Sequence, residues 1–94
     1  MHALVTRVTI HNADHTREML TSQVVPRVSG APGFQTGYWT WQSGEGGLNG
    51  LAMMIFDSEE NARAAGDRLR AVAAEGAEDV TLDGVEVREV VASA

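Results

Sequence analysis

The stretch that decides the fold is GFQTGYWTWQSGEGGLNGLAMMIFDSEE, residues 33–60, which contains every tryptophan, tyrosine and phenylalanine of the chain. Residues 34–42 and 48–56 have the composition of β-strands, and the glycine-rich SGEGG between them is typical of a hairpin turn. The second of these strands is almost wholly apolar in LAMMIF, which predicts that both of its faces are covered. The aromatic side chains on this hairpin are either packing or the wall of a pocket.

Alternation along the first of these two strands divides its side chains between two faces. Trp39 and Trp41 fall on one face together with Gly37, and Tyr38 falls on the other. Since only one face of a sheet can meet covering helices, Tyr38 and Trp39 cannot both line the same pocket.

The hairpin lies between two segments with helical patterns, and each of these adjoins a further strand. Residues 3–11 alternate as a strand with a drier and a wetter side. Helix caps follow at residues 12–14, and an apolar stripe recurs every four residues. Pro26 predicts a kink or an early stop, and Gly30 and Pro32–Gly33 predict a break. The stripe consists of Leu20, Val24 and Val28.

DSEE, residues 57–60, is a good start for a second helix, because it combines a capping side chain with two glutamates at the positive end of the helix dipole. Gly76 is its predicted C-cap. After it, residues 80–91 allow a hairpin around Asp83–Gly84 or one longer strand with a bulge. We expect a loop or short strand at 80–82 and then the main strand at 85–91. The predicted buried stripe of the second helix is Ala62, Ala65, Leu69, Val72 and Ala73.

The resulting order, β-α-β-β-α-β, predicts a ferredoxin-like α+β fold, a four-stranded antiparallel sheet with two helices on one face. The 94 residues suit a single domain. The face without helices would expose valine, tryptophan and methionine to water, and a patch of that size usually marks an interface. We therefore expect a homodimer in which two such sheets face each other.

Composition narrows the partners and the location. The formal charge is −6 with the basic residues scattered, so nucleic acid is not an expected partner. No apolar run has the length of a membrane span, and the first residues do not resemble a signal peptide, so a cytoplasmic protein without a membrane partner is expected. The chain has no cysteine, which removes disulfides, thiolate metal sites and cysteine nucleophiles from consideration.

Nearly the whole chain resembles the dimeric α/β-barrel proteins, and within them the antibiotic-biosynthesis-monooxygenase-like group. The resemblance rests on the opening strand, on VVPRVSGAPGF (24–34) with its PGF before the second strand, on GYWTWQ (37–42), and on MIFDSEENARAA (54–65) at the following strand-to-helix junction. It implies oxidation of a small aromatic substrate without a cofactor. Heme-degrading relatives carry a histidine on the second helix, and residues 59–75 contain none, so neither heme nor another metal is expected. The chain departs from the family at the first strand, where Thr and Arg replace an asparagine of some relatives, and at Phe56, where the junction residue is tryptophan.

Three residues are candidates for catalysis. His11 ends the first strand and could move a proton near neutral pH, although a solvated strand-end histidine would look the same. Arg7 could hold an anionic substrate or pair with Glu86 or Glu89. Asn49 could fix a carbonyl or an enolate, or serve the adjacent turn. His11 and His15 have the spacing of a helical zinc pair, but they straddle a strand end and a cap, so a metal site is not expected.

Trp39, Trp41 and Met53 are the candidates for substrate binding, and the alternative for each is packing in the core or in a dimer interface. The leading hypothesis is a monooxygenase-like enzyme in which His11 deprotonates the substrate, Arg7 and Asn49 hold its anion, and the tryptophans exclude water. The alternative is a non-catalytic small-molecule-binding or dimerisation module of the same fold. A third possibility is a structural dimer whose interior is filled by Trp39, Trp41 and Met53.

Overall fold

A four-stranded antiparallel sheet carries the fold. Its strands are β1 (His2–Ile10), β2 (Phe34–Gly44), β3 (Gly47–Phe56) and β4 (Val80–Glu89). Their order across the sheet is β2-β3-β1-β4, and each neighbouring pair is antiparallel. The computed structural model describes residues 1–74 and 79–94, and the ferredoxin-like α+β fold expected from the sequence is confirmed.

The helical elements are α1 (Ala13–Met19), a π-helical turn (Leu20–Val24), α2 (Val25–Ser29) and α3 (Glu59–Ala74). The first three follow one another without interruption, and we call them together the first helical layer. Asn12 caps α1 by accepting a hydrogen bond from the backbone N–H of His15 at 3.1 Å. Ser58 caps α3 in the same way through the N–H of Asn61 at 3.2 Å. Both starts lie where the sequence predicts them.

Pro26 does not stop the first helical layer. Proline has no N–H to donate to the preceding turn, and it disfavours helical geometry at the residue before it. The chain accommodates it with the wider π turn, in which the N–H of Val25 donates to the carbonyl of Leu20. Val25 itself keeps helical dihedral angles, and α2 continues to Ser29. Pro26 therefore changes the type of helix without ending it, and the chain breaks only after Gly30.

The helix-covered face of the sheet holds the core. On β1 the even-numbered residues point to this face, and Leu4 is only 1% exposed. The core cluster consists of Leu4, Ala52, Met54, Phe56 and Ala62. Phe34 packs its ring edge-on against Phe56 with 5.8 Å between centroids. This confirms the drier side of the first strand, since burial of apolar area on one face is what orients the sheet.

The small residues of α3 let it approach the sheet closely. Ala62 is fully buried, and a Cβ added at Gly66 would come within 3.1 Å of a Leu4 methyl group and 3.4 Å of a Val85 methyl group. Val72 was expected in the buried stripe, but it is 53% exposed. It lies near the end of the helix, and the described residues leave more than half of it uncovered. The C-cap predicted at Gly76 lies outside the described residues.

The last segment corrects a second expectation. Residues 80–89 form one continuous strand, so the short strand or loop expected at 80–82 is wrong and the bulged alternative is right. The register shifts between Arg7, which pairs with Gly84, and Val8, which pairs with Leu82. Asp83 is the extra residue, and its carboxylate accepts a hydrogen bond from the Thr9 hydroxyl at 2.6 Å. This contact holds the bulge against β1.

The face of the sheet opposite the helices is open over β2 and β3 in the described chain, whereas Ala3 and Val5 of β1 on the same face are buried. Leu51 and Met53 are 40% and 43% exposed, while their neighbours Ala52 and Met54 are buried. The expectation that LAMMIF is covered on both faces is therefore wrong for the chain by itself, because both helical layers lie on the same side. None of the helices formed by the described residues has the length and apolar character needed to cross a membrane.

Candidate functional site

The register of the β2–β3 hairpin decides which predicted site residues meet. Trp39 pairs with Ala52 and Trp41 pairs with Gly50, both on the helix-covered face. Met53 pairs with Tyr38 on β2 and with Val5 on β1, on the open face. Side chains of directly opposed residues point to the same side of a sheet. The two tryptophans and Met53, predicted as one substrate-binding set, therefore lie on opposite sides of the sheet.

Arg7 belongs to the open face together with Met53. Its Nη1 lies 2.9 Å from Oε1 of Glu86, which confirms the ion pair weighed from the sequence. Arg88 donates to the other carboxylate oxygen of Glu86 at 2.7 Å. Two guanidinium groups thus share one carboxylate at the centre of β4.

This arrangement favours the ionised form of Glu86. The hydrogen bond from Arg88 is the largest cause that lowers the pKa of the Glu86 carboxyl, and the positive charges of Arg88 and Arg7 lower it further. Burial acts in the opposite direction and is outweighed. The Arg7 guanidinium is therefore occupied by a carboxylate of its own chain.

Asn49 and His11 lie at the end of the open face where the hairpin turns. The amide of Asn49 lies over Gly44, in the space that a Cβ at that glycine would fill. Nε2 of His11 is 2.9 Å from the Thr81 hydroxyl, and its backbone N–H donates to the carbonyl of Asp79 at 2.7 Å. His15 pairs instead with the Asp79 carboxylate. The side chains of the two histidines thus have different partners, and no cluster of three potential metal ligands occurs within residues 1–74 and 79–94.

The tryptophans lie between the sheet and the first helical layer. Trp39 packs against the core cluster and lies over Gly37, where an added Cβ would come within 3.1 Å of the ring. Both tryptophans are half-buried. The sheet below them is lined by residues with little or no side chain, Gly37, Gly50 and Ala52. Trp39 therefore fills part of the core, and both rings keep an accessible portion.

The apolar residues of the first helical layer are also only partly buried. Leu20, Val24 and Val28 form the predicted stripe, yet all three are half-buried, and neither the π turn nor α2 contains a fully buried residue. Among the described residues, α3 approaches the sheet over much more of its length than the first helical layer does. From these half-buried apolar side chains on the sheet and on the helices we infer a shallow cleft. We call it the tryptophan cleft, bounded by Trp39 and Trp41 on the sheet and by Leu20, Val24 and Val28 on the helices.

Two residues of α1 with unusual surroundings were not among the candidates from the sequence. The guanidinium carbon of Arg17 lies 4.8 Å from the centroid of the Trp41 ring, a cation–π geometry. Thr16, beside it, is buried, and its hydroxyl has no hydrogen-bond partner in the part of the chain that the structure describes. The signal was present in the spacing, because residue 17 continues the 20-24-28 stripe toward the N-terminus by one turn.

The π turn in the first helical layer is a further unusual feature of the tryptophan cleft. Such turns are rare within helices and occur frequently at functional sites. Here it lies between α1, which carries Arg17, and α2, which carries Val28. The π turn therefore sets the orientation of α1 relative to α2 on the helical side of the tryptophan cleft.

No protein-family model and no curated protein matches the chain. Among solved structures, it is similar to a mutant of SnoaB, a cofactor-independent oxygenase from Streptomyces nogalater. The match covers 98% of this chain and 94% of the other, with a TM-score of 0.67 and 16% sequence identity. At this identity the likeness shows the fold. It confirms the fold expected from the resemblance to antibiotic-biosynthesis-monooxygenase-like dimeric α/β-barrel proteins.

Substitution of Gly37 by alanine tests the packing of Trp39. The new Cβ would lie 3.1 Å from the Trp39 ring and 3.3 Å from Met54 Cγ, so we expect the ring to move and the near-ultraviolet circular dichroism of the tryptophans to change. Gly84→Ala is the control, because an added Cβ there meets nothing within 4 Å. Identical spectra for Gly37→Ala and the unsubstituted protein would contradict this packing.

Substitution of Arg88 by glutamine tests the electrostatics of the open face. We expect the pKa of Glu86 to rise when the hydrogen bond is lost, as measured by carboxyl-carbon NMR titration. Because the pKa of Glu86 is lowered in the folded state, its contribution to stability is present above the unfolded-state pKa and is lost as the pH falls through the folded-state pKa. Arg27→Gln, an exposed change on α2, is the control, and an unshifted Glu86 titration in Arg88→Gln would refute the assignment.

Proposed function

We propose that the protein is a monooxygenase-like enzyme that binds a small electron-rich aromatic in the tryptophan cleft and oxidises it without a cofactor. The observation that carries this proposal is that Trp39 and Val28 pack against the same core cluster, while both tryptophans and the apolar stripe of the first helical layer remain only half-buried. Ligand sites are typically concave and apolar, with aromatic walls and few polar groups. The fold shared with a cofactor-independent oxygenase supports the choice of chemistry.

The reaction can be written for 1-naphthol as a probe of this substrate class. Loss of the phenol proton to water at the open mouth of the cleft makes the para carbon electron-rich. That carbon transfers electrons to dioxygen and forms a carbon–oxygen bond, and the resulting peroxide anion takes back one proton from water to give a hydroperoxide. Loss of water, with the hydrogen on the same carbon, leaves a carbonyl group. The sum is 1-naphthol plus dioxygen giving 1,4-naphthoquinone and water, so the substrate supplies all the electrons.

In this scheme the protein contributes binding, orientation and partial exclusion of water. Trp39 and Trp41, which both keep an accessible portion, would hold the ring by stacking. Arg7 and Asn49 cannot touch a molecule in the cleft, because they lie on the opposite face of the sheet. Their predicted roles, and that of His11 at the sheet end, apply only to a ligand held on the open face.

The same proposal includes a homodimer formed through the open face. Tyr38 is 69% exposed, and with Leu51 and Met53 it forms an apolar strip across two strands. Exposed apolar area of this kind is typical of an interface. Arg7, Glu86 and Arg88 flank the strip on the β1 and β4 side. A second copy placed against this strip would cover the face that the helices leave bare.

Calorimetry combined with oxygen-electrode measurements on 1-naphthol tests the enzyme. We expect saturable binding, oxygen uptake equal to the naphthol consumed, and one atom of labelled oxygen in the quinone. Binding without oxygen uptake would refute catalysis and support the non-catalytic small-molecule-binding module. Absence of both would refute the cleft as a binding site for small aromatics.

Light scattering of Met53→Glu tests the interface. We expect the unsubstituted protein to have twice the chain mass of 10.0 kDa and the variant to have the mass of one chain, because an unpaired charge would be buried in the apolar strip. Val72→Glu places the same charge on an exposed site of α3 and is the control, expected to remain dimeric. A monomeric unsubstituted protein would rule out this interface at the concentration measured.

A further inference from the structure

The strongest unassigned feature in the described chain is the arginine at the mouth of the tryptophan cleft. Arg17 is exposed, and its guanidinium carbon lies 4.8 Å from the centroid of the Trp41 ring. None of the ion pairs formed among residues 1–74 and 79–94 includes it. By contrast, Arg7, Arg63 and Arg88 are each paired with a glutamate. Arg17 is therefore a cation held by an aromatic face beside a cleft.

We propose that Arg17 makes the tryptophan cleft selective for flat aromatic anions. This inference rests on the proposed function, and it adds the charge of the ligand and the residue that reads it. A guanidinium placed over the face of one indole can still donate from its N–H groups to a carboxylate or phenolate oxygen. The aromatic part of the same ligand would contact the half-exposed indole rings.

The charge of the rest of the molecule strengthens the argument. The chain has a formal charge of −6, so its general field repels anions. An anionic ligand therefore needs a local cation, and one whose charge is already neutralised by a carboxylate would serve poorly. On α1 the neighbouring carboxylates are Asp14 and Glu18, and the observed partner of Arg17 is nevertheless the Trp41 ring.

The structure also explains why lysine would be a poor substitute. A guanidinium is planar, stacks on an indole and donates two parallel hydrogen bonds to a carboxylate. An ammonium group carries the same charge without the plane or the paired donors. The proposal therefore distinguishes three variants at one position: arginine as the selective form, lysine as an intermediate, and glutamine as a form without preference for an anion.

The test compares 2-naphthoate with 2-naphthamide, a neutral molecule of nearly the same shape, by titration calorimetry at neutral pH. We expect the unsubstituted protein to bind the naphthoate about tenfold more tightly than the naphthamide, as one charge-assisted contact would give. Arg17→Gln should abolish this ratio by weakening naphthoate binding, and Arg17→Lys should leave an intermediate ratio. Arg27→Gln, an exposed arginine on α2, should leave the ratio unchanged.

The outcomes separate the two proposals. Equal binding of both probes by the unsubstituted protein would overturn anion selectivity and leave the aromatic cleft standing. A naphthoate preference that persists in Arg17→Gln would overturn the role of Arg17. Equal weakening of both probes in that variant would reduce Arg17 to a packing partner of Trp41. Binding of neither probe by the unsubstituted protein would overturn the cleft itself, and with it the proposed function.

Discussion

The alternation of side chains along a β-strand is the constraint on which the rest of this structure depends. Neighbouring residues of β2 and β3 point to opposite sides of one sheet, so the hairpin builds two surfaces at once. Trp39 and Trp41 go to the side that the helices cover, and Tyr38, Leu51 and Met53 go to the side that they leave open. The candidate ligand site and the candidate interface are therefore separated by the thickness of a single sheet.

The first helical layer and α3 pack against the covered face of the sheet to different degrees. α3 uses alanine and glycine to come close to β1 and β4, and the apolar core forms there. The first helical layer contains Pro26, passes it with a π turn, and leaves its apolar stripe half-exposed above the tryptophans. The tryptophan cleft is therefore proposed on the side where the helical apolar stripe is less deeply buried.

Much of this fold could be predicted from the sequence because its signals are local. Strand alternation, the caps at Asn12 and Ser58, and the turn at the glycines each depend on a few adjacent residues, and each is found where expected. The bulge at Asp83 could not be chosen over a hairpin, because the choice depends on pairing with Thr9, far away in the chain. The predicted burial of Val72 was wrong because helical spacing alone does not show where the neighbouring elements stop covering a helix.

The site was harder to predict, and the reason is the register of the hairpin. Trp39 and Met53 share a strand pair, but they share a face only if the turn places them opposite each other. With Glu45–Gly46 at the tip, Trp39 pairs with Ala52, and a shift of one residue would have reversed the answer for every side chain. Arg17 was missed because its partner, Trp41, lies on a different element. Helical spacing places Arg17 in line with the Leu20, Val24 and Val28 stripe, but spacing alone gives no reason to choose it as a site residue.

The most direct test of this account is amide and indole chemical-shift mapping of the protein titrated with 2-naphthoate. If the ligand binds in the tryptophan cleft, the indole N–H signals of Trp39 and Trp41 shift together with amide signals of the first helical layer. Signals of Arg7, Tyr38 and Met53 on the open face should move little. Shifts concentrated on those three residues, with the indole signals unchanged, would place the ligand on the other side of the sheet and contradict the account.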